Sequence, residues 1–321
     1  MTLKLNIAYE ASSPSGETDA PGDRIDAMFA VAEDRHKKTR RIMSGSLRGA
    51  VYLGAALTAA VLAFLVGYIL LKGVPYLAPS LFEWEYTSDN VSLMPALFNT
   101  LVMAGFALVM AVPVGVGSAI YLVEYAPRGS RFVQVVRTTT ETLQGIPSII
   151  YGLFGLLFFV TALQWGLSLL SGACTLAIMV LPVVMRTTEE ALLAVPDSYR
   201  EGGFSLGAGR LRTMFRCVLP SAVPGILGGV ILALGRCVGE VAALIFTAGS
   251  IAQIPGFGTE GLMAVFDSAR TLAVHMYVLA SEGLHVNETY ATAVVLLVMV
   301  VLLNLFATFA AKKMNKGKQH D

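Results

Sequence analysis

Charge is scarce in this chain. Only 14% of its 321 residues are Asp, Glu, Lys or Arg, while 55% are hydrophobic, and mean hydropathy is +0.67. That composition excludes an ordinary soluble domain and points to an integral membrane protein. Cysteine is equally sparse. Cys174, Cys217 and Cys237 lie far apart, without metal-ligand or redox spacing, so neither a disulfide framework nor a zinc site is expected. The four histidines, His36, His275, His285 and His320, fall outside the apolar runs, and no His-Glu-x-x-His occurs. No Gly-x-x-x-x-Gly-Lys is present to cradle phosphates, so the chain carries no nucleotide site of that kind. The net charge of +1 implies little about nucleic acid, and no basic stripe with interleaved aromatics is present to bind one. No Ser, His and Asp can be placed at one membrane depth, and a membrane-embedded enzyme lacks a nucleophile or base.

Long apolar runs are what the chain does have. Six stretches reach the roughly 20 residues that a membrane span needs, at about 49–71, 96–122, 142–163, 166–185, 222–249 and 291–311. If residue 1 starts inside, the inner segments hold twenty of the 23 Lys and Arg residues, and the outer loops hold only Lys72 and Arg270. This is the positive-inside pattern, with both termini cytoplasmic. Residues 1–46 read as a polar, mostly disordered cytoplasmic tail, with a short amphipathic helix over Ile25–Glu33 and a basic run from Arg35 to Arg41 that could meet anionic lipid. The tail is too long and too polar for a cleaved signal peptide. Residues 47–311 form the transmembrane domain, and 312–321 a basic cytoplasmic tail. The stretch 259–281 tempts a seventh span. Asp267, Arg270 and His275 would be costly in lipid, so it is expected as a partly helical external segment lying on the membrane surface.

A polar stretch from Arg186 to about Pro220 separates two of the apolar runs, too long for a simple connector. Pro196-Asp197-Ser198 marks a helix start, and Gly207 marks a stop. A second short helix then places Leu211, Met214, Phe215 and Val218 on one side and Arg210, Arg212 and Arg216 mostly on another. Two short helices bent at Gly207 are expected on one face of the membrane. Within the following apolar run, Arg236 and Glu240 stand four residues apart and should share a helix face. An unpaired charge there costs roughly 2.5–3.5 kcal/mol, so both should face the bundle interior or a wet path. Either they neutralise each other and lock helices, or Arg236 meets a crossing anion while Glu240 holds it or resets the gate. Arg186 ends a span at the inner side, as a snorkelling arginine or at the inner mouth of a path. Gly225 with Gly229, and Gly235 with Gly239, have the spacing for close helix packing, internal or between subunits.

Glu201-Gly202-Gly203, three residues, Gly207, nine residues, Cys217, one residue, then Leu219-Pro220 resembles the Glu-Ala-Ala (EAA) loop of ABC importer permeases. Gly202 and Gly203 depart from the usual alanines, and Cys217 from the usual isoleucine. The two glycines should cost about 1 kcal/mol each within a helix. Gly145-Ile146-Pro147-Ser148-Ile149-Ile150-Tyr151-Gly152-Leu153-Phe154 is similar to a segment of phosphate (Pst) importers, as are Arg186–Ala191, Gly235–Glu240 and Tyr277–Gly283. The resemblance runs from about residue 95 to 311 and favours the PstA type over the PstC type. It implies an all-α, six-helix transmembrane bundle of the type I (MetI-like) importer kind, in a bacterial inner membrane. The loop over 186–220 would be the cytoplasmic coupling loop, with Glu201, Gly202, Gly203, Gly207, Leu219 and Pro220 meeting an ATPase. Arg236, Glu240 and Arg186 would line the path of phosphate. The implied partners are a PstC-like permease, a PstB-like ATPase dimer holding ATP and Mg, and an external phosphate-binding protein. The chain itself would bind no cofactor and catalyse no covalent step. The rival readings are the same machine for phosphonate, sulfate or molybdate, and a membrane sensor reporting phosphate to a regulator.

Overall fold

A computed structural model describes residues 21–127, 129–256 and 261–316. Every regular element among them is helical. The chain divides into two compact units, residues 1–67 and 68–321. The first is largely one long helix, α1, spanning Pro21–Gly73. Residues 21–46 therefore lie on a helix, where the sequence suggested a mostly disordered tail with one short helix over Ile25–Glu33; residues 1–20 fall outside the described part. From Ile25 to Met43 there is no Gly or Pro, and Ala, Met, Glu, Lys and Arg dominate. Once the apolar part of α1 is helical, extending it backwards needs no new nucleus. Leu53, Leu57 and Phe64 on this helix are exposed, as suits lipid or another chain.

The second unit is a helical bundle. It contains α2 (Met94–Ile120, prolonged by a wider π-type turn over Tyr121–Tyr125), α3 (Arg131–Gln144) and α4 (Ser148–Gly155, prolonged in π winding over Leu156–Ala162). Then come α5 (Leu169–Leu193), α6 (Asp197–Ser205), α7 (Arg210–Thr213, with a π turn over Met214–Val218) and α8 (Leu219–Gly239). The last three are α9 (Ala242–Thr247), α10 (Leu272–Glu282) and α11 (Val286–Lys316). Five helices are long and apolar enough to span a membrane, and a sixth span arises if the bent pair α3–α4 counts as one.

α5 is the centre. Ser168 caps its start by accepting from Ser171 N at 3.2 Å. Its apolar faces pack against α2 on one side and α8 on another, burying Met103, Leu176, Met179, Val180 and Val184. The contact with α8 is backbone-close. A Cβ on Gly225 would stand 2.6 Å from Ala191 Cβ, and one on Gly229 would overlap the Thr187 hydroxyl. This glycine pair therefore serves internal packing. Gly235 and Gly239 have nothing within 4 Å of such an atom.

Two apolar runs are interrupted, and the placement of a third segment needs correction. The run 142–163 is not one straight helix: α3 and α4 meet at 101° across Gly145–Pro147. Pro147 lacks the N–H that a continuing helix needs, and the Tyr151 hydroxyl donates to Leu143 O at 2.8 Å across the bend. The run 222–249 is also broken. α8 stops at Gly239, and Glu240 is extended, with φ −77° and ψ 130°, before α9 begins. Finally, the segment expected on the membrane surface over 259–281 folds into the bundle; residues 257–260 lie outside the description. Leu272, Val274, His275 and Leu279 are buried. Leu272 N donates to Thr100 Oγ1 at 2.8 Å, and Asn99 Nδ2 to Gln253 O at 2.9 Å. The charges that seemed to forbid burial are satisfied from within. Asp267 accepts from Gly256 N at 3.0 Å, and Arg270 Nε donates to Ser250 O at 2.7 Å. Arg270 also lies over the Tyr86 ring, 5.4 Å from its centroid. Its Nη1 meets His275 Nδ1 at 3.2 Å. Burial first, then the Arg270 charge, holds His275 down to about 4 from its ordinary 6.5.

Candidate coupling surface and translocation path

The polar loop folds as one short helix, α6, a turn at Gly207, and α7, which runs on through its π turn into α8 rather than standing as a second separate helix. Pro196 precedes α6, and Asp197 sits in its first turn, where the helix dipole favours an acid. Gly207 has φ +75°, the left-handed conformation that glycine adopts without a Cβ penalty. Gly207 N donates to Phe204 O at 2.9 Å and Ala208 N to Gly203 O at 3.1 Å. These two bonds form a Schellman stop that satisfies carbonyls at the end of α6.

The two glycines after Glu201 differ in role. Gly202 is exposed with open space around it, whereas Gly203 is buried against Thr213 of α7. A Cβ on Gly203 would lie 2.7 Å from both Thr213 Cγ2 and Oγ1. The glycine thus lets the two short helices close on each other. The side that the sequence assigned to Leu211, Met214, Phe215 and Val218 is split. Met214 and Val218 are buried in a small core with Leu122, Leu192 and Val195, while Leu211 and Phe215 face outward. Tyr199, Phe204 and Leu206 are exposed with them, as is Glu201. Leu219 and Pro220 follow directly on the π turn over Met214–Val218, within one helical run from Arg210 to Gly239.

Arg200 was missed by the sequence reading. Its side chain is only 16% exposed, and Nη2 pairs at 2.8 Å with Glu124, itself 17% exposed, at the end of α2. Nη2 also donates to Leu192 O at 3.0 Å, and Nη1 to Val195 O at 3.0 Å and Asp197 Oδ1 at 3.1 Å. One guanidinium therefore joins α6 to the ends of α2 and α5. The only local sign was its i,i+3 spacing from Asp197. The partner Glu124 lies 76 residues away.

Arg186 belongs to a separate cluster. It reaches Glu190 on its own helix and Glu141 on α3, each at 3.0 Å. Arg137 on α3 pairs with Glu189 at 2.5 Å. These pairs fasten α3 to α5 around a cleft of about 220 Å³. Arg186 is thus a paired surface residue here rather than a lone snorkelling one. It is not brought together with Arg236.

Arg236 and Glu240 do not form the expected helical pair. Glu240 is the residue at which α8 ends, the chain turning after it, and its Oε1 accepts from Ala243 N in the first turn of α9 at 3.3 Å. Arg236 lies in the last turn of α8, where its charge complements the helix dipole. Each charge thus answers a different helix end. Among the described residues no hydrogen bond or ion pair to Arg236 is formed. It is half-buried, and close enough to act electrostatically on the Tyr151 hydroxyl beside the α3–α4 bend.

The comparison with known proteins joins these two regions. A model of the family described as "Binding-protein-dependent transport system inner membrane component" matches residues 111–319, which include the loop, α8 and α9. The chain belongs to that family. It is therefore a multi-pass membrane protein and a permease component of an ABC importer type of system. It is 35% identical over 283 residues to the probable ABC transporter permease protein YqgI of Bacillus subtilis (strain 168), covering 84% of this chain and 95% of that one. It is 31% identical over 294 residues to the phosphate transport system permease protein PstA of Mycobacterium leprae (strain TN), covering 88% and 94%. It is also 30% identical over 344 residues to the phosphate transport system permease protein PstC of Xylella fastidiosa (strain 9a5c), covering 98% and 97%. Among solved structures, the inward-facing MetNI methionine ABC transporter shares the fold at TM-score 0.53 and 19% identity, over 69% of this chain and 94% of that one.

Proposed function

We propose that this chain is a PstA-type permease subunit of an ATP-driven importer of inorganic phosphate, working by alternating access. The cargo rests on the phosphate permeases among its relatives, including PstA of Mycobacterium leprae. The observation that carries the mechanism is the two-faced coupling loop. Its inner side is anchored through Arg200, Gly203, Met214 and Val218, while Glu201, Phe204, Leu206, Leu211 and Phe215 remain outward. That outward surface, with Gly202, Gly207, Leu219 and Pro220 shaping it, is where a separate cytoplasmic ATPase dimer docks. The ATPase holds ATP and Mg; this chain binds neither. A PstC-like permease completes the pathway and an external phosphate-binding protein delivers cargo. Both termini are cytoplasmic, which puts the loop on the ATPase side.

Phosphate crosses as a mono- or dianion, and no covalent step occurs. Arg236 supplies the counter-charge: a half-buried guanidinium without a protein partner among the described residues gains most from an anion. Glu240 keeps the α8–α9 break in shape and limits how tightly the anion is held. Arg186 and its glutamates stand at the inner mouth.

Radiolabelled phosphate uptake in phosphate-starved cells lacking the chain, with and without its restoration, tests the cargo. Loss and rescue of uptake are expected. Unchanged uptake overturns phosphate, and competition by sulfate, phosphonate or molybdate would then identify the oxyanion. Arg236→Gln should abolish uptake while ATPase subunits still co-purify; normal uptake by that variant rejects the anion path.

A further inference from the structure

We propose that Arg200 is a positioning residue that transmits movement of the coupling loop to α2 and α5, so that ATP hydrolysis is converted into transport. The proposal rests on the function proposed above, and concerns a residue on the inward side of α6, not the docking surface. Its guanidinium is held by Glu124 from α2, by the carbonyls of Leu192 and Val195 at the end of α5, and by Asp197 from α6 itself. The planar fork of an arginine can serve all of these at once, which a lysine ammonium cannot match in geometry. With Arg200 and Glu124 both mostly shielded, the pair is weakly screened and short.

The connection continues beyond α6. The last turns of α5 carry Thr187 and Ala191, against which Gly229 and Gly225 of α8 close without intervening side chains. α8 in turn carries Arg236. A displacement of α6 therefore reaches the anion site through Arg200, α5 and the glycine seam. The covalent route through α7 into α8 runs in parallel. Glu201 and Phe204 of α6 are exposed, whereas Arg200 on the same helix is mostly shielded. Docking and transmission are thus separable on this helix.

The test uses the complete transporter, purified and reconstituted in liposomes with its binding protein, comparing wild type with Arg200→Lys and Glu124→Gln. Three quantities are read: ATPase subunits retained per permease, ATP hydrolysed, and radiolabelled phosphate imported per ATP. Arg200→Lys should retain the ATPase and its basal hydrolysis, while phosphate imported per ATP falls roughly fivefold or more, the scale of one lost coupling interaction. Glu124→Gln, which keeps a carbonyl acceptor but loses the charge, should fall between. A wild-type import-to-hydrolysis ratio in Arg200→Lys overturns the proposal. Loss of the ATPase from Arg200→Lys also overturns it, because Arg200 would then only shape the docking surface. If Arg200→Lys does not accumulate in the membrane, Glu124→Gln decides by the same ratio. A wild-type complex that imports no phosphate, or retains no ATPase, refutes the functional reading instead and leaves a different signature.

Discussion

Two adjacent glycines on α6 should respond oppositely to the same substitution. Gly202→Ala adds a methyl group into open space and removes backbone entropy from the unfolded chain, so it should stabilise the loop by about 0.5–1 kcal/mol. Gly203→Ala places its methyl group 2.7 Å from Thr213 and should destabilise it. Thr213→Ala in the same chain should recover most of that loss, because it removes both atoms in the way. Thermal melting of the wild type and these three variants checks the pattern. His275 makes a second prediction. In the folded chain it titrates near 4 rather than 6.5, so between those values the unfolded chain binds more protons. Stability is fully present above pH 6.5 and falls as pH drops toward 4. Unfolding midpoints measured across that window should fall in the wild type and fall less in His275→Gln.

At the scale of the element, the bend at Gly207 is the sharpest test. Gly207→Val forces a β-branched residue to φ +75°, which costs at least about 1–2 kcal/mol. It should open the angle between α6 and α7 and weaken retention of the ATPase, measured by co-purification, without preventing membrane insertion. This bend was legible in the sequence, because proline before a helix and glycine after it act locally. The apolar runs were legible for the same reason: α2, α5 and α11 lie close to where hydropathy put them. The ends of the other runs were not. Gly-Arg-Cys-Val-Gly-Glu-Val gives little warning that α8 stops at Gly239, since no proline intervenes and Gly239 alone is a weak signal. The folding-in of 261–282 was hidden too. The groups that satisfy Arg270 are the Ser250 carbonyl, the Tyr86 ring and His275, and only the last is nearby in sequence. Arg200 looked like one more charge in a polar loop, because its main partner is on another helix.

For the whole molecule, the α5–α8 seam is the decisive packing feature. Gly229→Leu would drive a side chain through Thr187 and should destabilise the bundle by about 1–3 kcal/mol or more. Thr187→Gly should rescue part of this, whereas glycine changes elsewhere on α5 should not. Yield of folded protein after detergent extraction and heating measures both. The seam also bears on the order in which the molecule is made. Translation delivers α5 to the membrane ahead of α8, because the coupling loop lies between them. During that interval the central helix has α2 to pack against, but the face bearing Thr187 and Ala191 waits uncovered. The nascent permease is therefore at its most vulnerable midway through synthesis, and its bundle closes only when a pair of glycines from a later helix arrives.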